Sequence, residues 1–189
     1  MHITMPARRR AATEPGRRPR RAARLSATVA ALAVPALIGG TALASPASAS
    51  SVLTTHITPT NTFFLMLDVS GASTQAGAPV IDWYANGGAN QSWSFVPSGG
   101  THTYEIVNGN SGQCLTSDGV PGDQVYQFPC VSSPTQQWRT NLATSPNYCM
   151  IQNVASGLYL DVSANSVWPG TAIDTWYYNG NSNQYFGTI

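Results

Sequence analysis

The tetrapeptide Leu67-Asp68-Val69-Ser70 returns unchanged as Leu160-Asp161-Val162-Ser163, and the residues after each copy return with it. Residues 67–74 align onto 160–167, and 77–91 onto 170–184, without a gap. Asp68 falls on Asp161, Gly77 on Gly170, Val80 on Ile173 and Trp83 on Trp176. Asn86-Gly87 falls on Asn179-Gly180, and Asn90-Gln91 on Asn183-Gln184. A middle copy lies between them. Ile106, Asn108, Ser111, Gly112 and Leu115 recur 45 residues later as Ile151, Asn153, Ser156, Gly157 and Leu160. Gly122, Val125, Phe128 and Gln136 recur 48 residues later as Gly170, Ile173, Trp176 and Gln184. Self-similarity of this kind marks a structure built from one repeated unit, each copy burying its apolar face against the others. The chain holds three such units of about 45 residues.

Inside each unit, short apolar runs alternate with turn residues. Thr103–Asn108, Gly157–Val162 and Ala172–Tyr177 read as strands, and the Asn-Gly pairs at 86–87 and 179–180 as turns between them. Beyond the N-terminal segment, no window of 11 or more residues carries a helical apolar period. The expected class is all-β: a pseudo-threefold barrel, closed so that few strand edges stay free.

The N-terminal segment stands outside this pattern. Residues 1–24 hold eight arginines and one acid, Glu14; an apolar run from Leu25 to Ala44 follows, then Ala47-Ser48-Ala49. That order reads as a secretory signal peptide over residues 1–49, leaving a domain at 50–189. Pro35, Gly39 and Gly40 argue against a stable membrane span. Cleavage would change the electrostatics. Nine Lys+Arg less eight leaves Arg139, and eight acids less one leaves seven, so residues 50–189 carry 1 − 7 = −6. A basic patch is what binds phosphate backbones or anionic lipid. None is available, which excludes nucleic acid and, after cleavage, membrane surfaces as expected partners.

The repeat order L-D-V, G-x-x-V, W, N-G, N-Q-x-W resembles the ricin-B-type lectin repeat, a β-trefoil unit also found in family-13 carbohydrate-binding modules. The resemblance runs from about Ile57 to Ile189. Three Q-x-(aromatic) closures carry it: Gln91-Ser92-Trp93, Gln136-Gln137-Trp138 and Gln184-Tyr185-Phe186. It implies a three-repeat β-trefoil that binds neutral glycan or polysaccharide, of galactose or xylan type, with no cofactor.

Sugar chemistry says what such a site needs. A neutral sugar offers adjacent hydroxyls and one apolar C–H face. A carboxylate accepts from hydroxyls strongly, an amide both donates and accepts, and an aromatic ring covers the C–H face. Asp68, Trp83 and Asn90 supply that set in the first repeat, and Asp161, Trp176 and Asn183 in the third. The resemblance implies these as the sugar contacts, with Gln91 and Gln184 orienting the aspartates. In the second repeat Thr116, Phe128 and Thr135 occupy the three positions, while Gln136 and Trp138 remain. A lone tryptophan is as readily core as platform, and a lone aspartate is often a turn residue. Their joint loss from one repeat, with the closure kept, points to function and to two working sites. Ile81 and Asp174 stand at equivalent positions where many family members carry glutamine, so the two sites are expected to differ in selectivity. Period-2 alternation puts Asp82 and Thr175 on the opposite strand face, and no role is assigned to Asp82.

The resemblance also implies a disulfide between Cys114 and Cys130, worth on the order of 3 kcal/mol by loop closure. Met66/Ala85 and Tyr159/Tyr178 take those positions in the other repeats. For Cys149 a buried free thiol, an intermolecular bridge and an alternative pairing all stay open. His56 and His102 lie in no motif with a nucleophile, and no His/Cys cluster has metal-ligand spacing. Glycoside hydrolysis needs two carboxyls flanking one bond, and Asp68 and Asp161 belong to different lobes. Asp118 and Asp123 read as turn formers. The expectation is a lectin-like module without catalysis. The competing expectation is a protein-interaction module acting through loops such as Pro97–Thr101 and the Asn-rich C-terminal turn.

Overall fold

The computed structural model describes residues 52–189, apart from positions 63 and 146. The expected signal peptide, residues 1–49, lies outside them. Among the described residues no helix is long and apolar enough to cross a membrane.

Among the described residues there are twelve strands, four per repeat. The first repeat contributes β1 (Leu53–Pro59), β2 (Leu65–Val69), β3 (Val80–Tyr84) and β4 (Ser92–Pro97). The second contributes β5 (Thr103–Asn108), β6 (Cys114–Thr116), β7 (Tyr126–Phe128) and β8 (Gln137–Arg139). The third contributes β9 (Gln152–Asn153), β10 (Tyr159–Val162), β11 (Ile173–Trp176) and β12 (Phe186–Thr188). The expected Thr103–Asn108 strand matches β5; the other two are shorter at their ends, where Gly157 and the Asn-rich turn leave the ladder. Helical structure among the described residues is limited to single 3-10 turns.

The outer strands of each repeat pair around a ring, β1 with β4, β4 with β5, β5 with β8 and β8 with β9. Cys149 and Phe186 exchange backbone hydrogen bonds of 2.9 Å, and β12 pairs with β1, so the ring closes. The inner strands form three hairpins, β2/β3, β6/β7 and β10/β11, that cap one end. Closure hides the barrel's hydrogen-bonding edges. The fold is a β-trefoil.

The core shows why the repeats had to match. Leu67, Leu115 and Leu160 are fully buried, as are Val80, Val125 and Ile173, and Trp93, Trp138 and Phe186. Each set is one position taken three times, so one packing solution serves every repeat. The closure tryptophans also satisfy their indole N–H: Trp93 Nε1 donates to Leu67 O (3.0 Å) and Trp138 Nε1 to Leu115 O (2.9 Å). Phe186 needs no such acceptor. The Cys114–Cys130 disulfide is formed. In the third repeat the Tyr159 and Tyr178 rings pack at 5.8 Å centroid distance in its place. Cys149 stays free and only half buried against the core, and with Cys114 and Cys130 bonded to each other the alternative pairing within the chain does not form.

Candidate functional site

Each sugar-site candidate starts at the end of a hairpin's first strand. Asp68 ends β2 beside Val69, and Asp161 ends β10 beside Val162; both aspartates are buried, at 3% and 4% exposure. A buried carboxylate must be hydrogen-bonded to remain tolerable. Gln91 Nε2 donates to Asp68 Oδ2 at 2.8 Å. Asn183 Nδ2 donates to Asp161 Oδ1 at 2.7 Å, and Asn179 Nδ2 to Asp161 Oδ2 at 3.1 Å. Burial still pushes both carboxyls up, Asp161 to about 6 with the charge of Asp174 adding to it, while the amides pull the other way.

The amides are fixed from behind. Asn90 Nδ2 donates to Val69 O (3.2 Å) and Asn183 Nδ2 to Val162 O (3.0 Å). Gln91 donates to Tyr84 O and accepts from Asn86 N; Gln184 donates to Tyr177 O and accepts from Asn179 N. The glutamine thus ties the closing 3-10 turn to the strand end opposite. Its expected orienting contact on the aspartate is direct in the first repeat. In the third, Asn179 and Asn183 hold the carboxylate, and Gln184 adds to the donors that favour its charge.

The tryptophans divide into two classes. Trp93 and Trp138 have no exposure, whereas Trp83 and Trp176 stand 41% and 43% exposed at the open ends of their hairpins, away from the connecting turns. Each of these two rings rests on a glycine of another repeat. A Cβ on Gly170 would come within 3.3 Å of Trp83 Cζ3, and one on Gly122 within 3.1 Å of Trp176 Cζ3. Both glycines also have φ of 86°, which side chains rarely tolerate. At Gly122 and Gly170 the glycine of the G-x-x-(Val/Ile) signal is therefore a seat for another repeat's ring, whereas at Gly77 the space is open.

Two cavities result. The first, about 400 Å³, is lined by Asp68, Ser70, Gly71, Ala72, Ile81, Trp83, Asn86 and Asn90. The second, about 410 Å³, holds Asp161, Asp174, Trp176, Asn179 and Asn183, with Gly122 from the second repeat. Aspartate, tryptophan and asparagine meet in both, and the glutamines sit behind the wall. In the middle repeat Thr116 Oγ1 donates to Cys114 O (2.9 Å) and accepts from Gln136 Nε2 (3.1 Å), so the glutamine scaffold survives without a carboxylate.

Asn86 and Asn179 were read from sequence only as turn residues. They do build turns, their Oδ1 atoms accepting from Gly88 N (2.7 Å) and Asn181 N (2.8 Å), yet both also line the cavities. The middle repeat has Val131 at that position, a fourth joint loss that could have revealed them. Asp82 needs correction: it faces away from the cavity as expected but has a structural role. It is fully buried, and its Oδ1 accepts from Thr171 N at 2.9 Å, clasping the third repeat's turn. Among the described residues no group of three or more His, Cys, Asp or Glu could hold a metal ion.

A closed trefoil with carboxylate, amide and aromatic in two lobes defines a class of carbohydrate-binding folds. Sequence comparison agrees: the ricin-type beta-trefoil lectin domain-like family model matches residues 54–128, 89–176 and 134–188. The chain belongs to that family. It is 33% identical over 100 residues to the ribosome-inactivating protein PMRIPt of Polygonatum multiflorum, covering 51% of this chain and 15% of that protein. Among solved structures, the designed threefold-symmetric protein ThreeFoil superposes with a TM-score of 0.65 at 29% identity, covering 72% of this chain and 97% of ThreeFoil. The exo-beta-1,3-galactanase 1,3Gal43A from Clostridium thermocellum superposes with a TM-score of 0.66 at 26% identity, over 72% of this chain and 30% of that enzyme.

Proposed function

We propose that this is a secreted, non-catalytic lectin that holds neutral glycans at Asp68/Trp83/Asn90 and Asp161/Trp176/Asn183, residues 1–49 being its export signal. One observation carries the reading: a buried, amide-held carboxylate beside a half-exposed tryptophan occurs twice and is dismantled in the middle repeat. The aspartates accept sugar hydroxyls, the indole covers the C–H face, and Asn90 and Asn183 add donors and acceptors. The galactanase likeness supports a galactose-type polysaccharide. Asp68 and Asp161 lie in separate cavities, so neither can serve the other as acid or base on one glycosidic bond. The two carboxylates that do share a cavity, Asp161 and Asp174, stand directly opposite each other on one hairpin rather than on two sides of a cleft. Shallow monosaccharide sites of this kind bind near millimolar, about −4 kcal/mol.

The test is a glycan and polysaccharide array probed with wild type and with Asp68→Ala/Asp161→Ala. The expected result is signal that the double variant loses. Undiminished binding by a folded double variant overturns the assignment.

A second reading, a protein-interaction module, draws on Phe64, Tyr84, Val167 and Trp168, all exposed around one cavity of about 390 Å³. Competition separates the two: free sugar should displace a glycan-dependent partner and leave contact at this patch untouched.

A further inference from the structure

The two cavities share a plan and differ in charge. Asp68 stands opposite Ile81 across β2/β3, and Asp161 opposite Asp174 across β10/β11. Directly opposed residues of an antiparallel pair project to one face. The third repeat therefore places two carboxylates in one cavity where the first places a carboxylate and an aliphatic chain. Asp174 is 6% exposed, and its Oδ1 has no hydrogen-bond partner among the described residues. No cationic side chain lines this cavity; Arg139 and His102 line another, and His56 Nδ1 bonds to Gln91 O. The other polar side chains lining the cavity, apart from the Trp176 indole, are amides and one small hydroxyl, Ser163.

A neutral sugar leaves this pair half answered. Hydroxyls satisfy lone pairs, but the second negative charge keeps no counterpart. An ammonium group brings three donors and the missing positive charge. A bare metal ion suits the site poorly, because hard cations need oxygen ligands. Here Asn179 and Asn183 turn their N–H groups onto Asp161, and Asn179 Oδ1 is already taken by Asn181 N. Half-exposed Trp176 adds an aromatic face for the sugar ring and its cation.

We infer that the repeat-three cavity selects a sugar with a free amino group, a de-N-acetylated hexosamine unit of a cationic polysaccharide, while the repeat-one cavity takes a neutral unit. The inference rests on the sugar-binding reading above and changes the ligand of its repeat-three site from a neutral sugar to an amino sugar. Asp174 is its specificity-determining residue. The −6 charge of residues 50–189 draws such a polycation toward the surface.

Titration calorimetry of the protein expressed from its full sequence, with a glucosamine tetrasaccharide and its N-acetylated counterpart, tests this. Wild type should bind the amino form about tenfold tighter, the order expected for one added close charge contact. Asp174→Asn should bring the two oligomers to parity. Asp118→Asn, which removes the same charge from an exposed position, should leave the preference intact. Ile81→Asp should create a second amine-selective site and double the stoichiometry, a readout independent of how well Asp174 variants fold. Equal affinities in wild type, or a preference that survives Asp174→Asn, overturn the inference. So does calcium binding, titrated alone, that Asp174→Asn abolishes, since the site would then hold a metal. If a neutral glycan still binds and Asp68→Ala removes it, only this inference falls; if no glycan binds, the lectin reading falls as well.

Discussion

Asp82 carries a full charge into the hairpin cap with one oxygen bonded and the other without a partner. Its counterparts Gln127 and Thr175 are equally buried but neutral, and Gln127 donates to Ser73 O and Gln75 O. Desolvation raises the Asp82 carboxyl to about 6, against 3.8 when exposed. A raised acid pKa means the folded state binds a proton more readily than the unfolded one. Stability then falls as pH rises through the window from about 4 to 6, and the penalty is complete above it. Asp161, also raised to about 6, adds the same trend. Chemical denaturation should therefore show higher stability at pH 5 than at pH 7. Asp82→Asn should gain on the order of 1–2 kcal/mol at pH 7, where the charge is present, about half of that at pH 5, and little below about pH 3.8. Loss of stability at both pH values would mean that the charged clasp on Thr171 N outweighs desolvation. Sequence alternation placed Asp82 on the correct face but could not show that a loop from another repeat shelters that face.

At the scale of the hairpin, three copies keep one backbone while each fastens its strands differently. The second repeat uses the Cys114–Cys130 disulfide, the third packs Tyr159 against Tyr178 with tilted rings, and the first buries Met66. The bridge closes a loop with a sequence separation of 16. Cys114→Ser/Cys130→Ser should cost about 3 kcal/mol in thermal or denaturant unfolding. Glycan binding should persist, because neither cavity is lined by the β6/β7 strands. Loss of binding at full folding would place part of the site on β6 or β7 themselves. Strands and closures were legible because each is a threefold comparison within one chain; the disulfide, present in one repeat alone, was legible only through the family resemblance. Asn86 and Asn179 were not, because an Asn-Gly pair is already explained as a turn, and only Val131 in the silent repeat exposes their second task. The seating of Trp83 on Gly170 is a contact between repeats, which no alignment of one repeat on another can display.

On the whole-molecule scale the repeats are interlocked, because the tryptophan of each cavity is seated on a glycine of another repeat. Trp83 of the first repeat leans on Gly170 of the third, and Trp176 of the third leans on Gly122 of the second. The silent middle repeat is thereby still required as a seat. Two weak sites fixed on one rigid barrel can engage a polymer together, raising apparent affinity roughly a hundredfold where the chain spans both. Asp68→Ala and Asp161→Ala, made singly, should each leave one site that still binds a short oligomer. Each should nevertheless lose most of the retention on an insoluble polysaccharide, because avidity vanishes with either partner. Retention on the polymer, compared with titration of the oligomer, measures the two effects separately. If one single variant abolishes retention and oligomer binding together while the other changes neither, the barrel has one working site. The recurrence of Leu-Asp-Val-Ser would then record the repeat's ancestry alone.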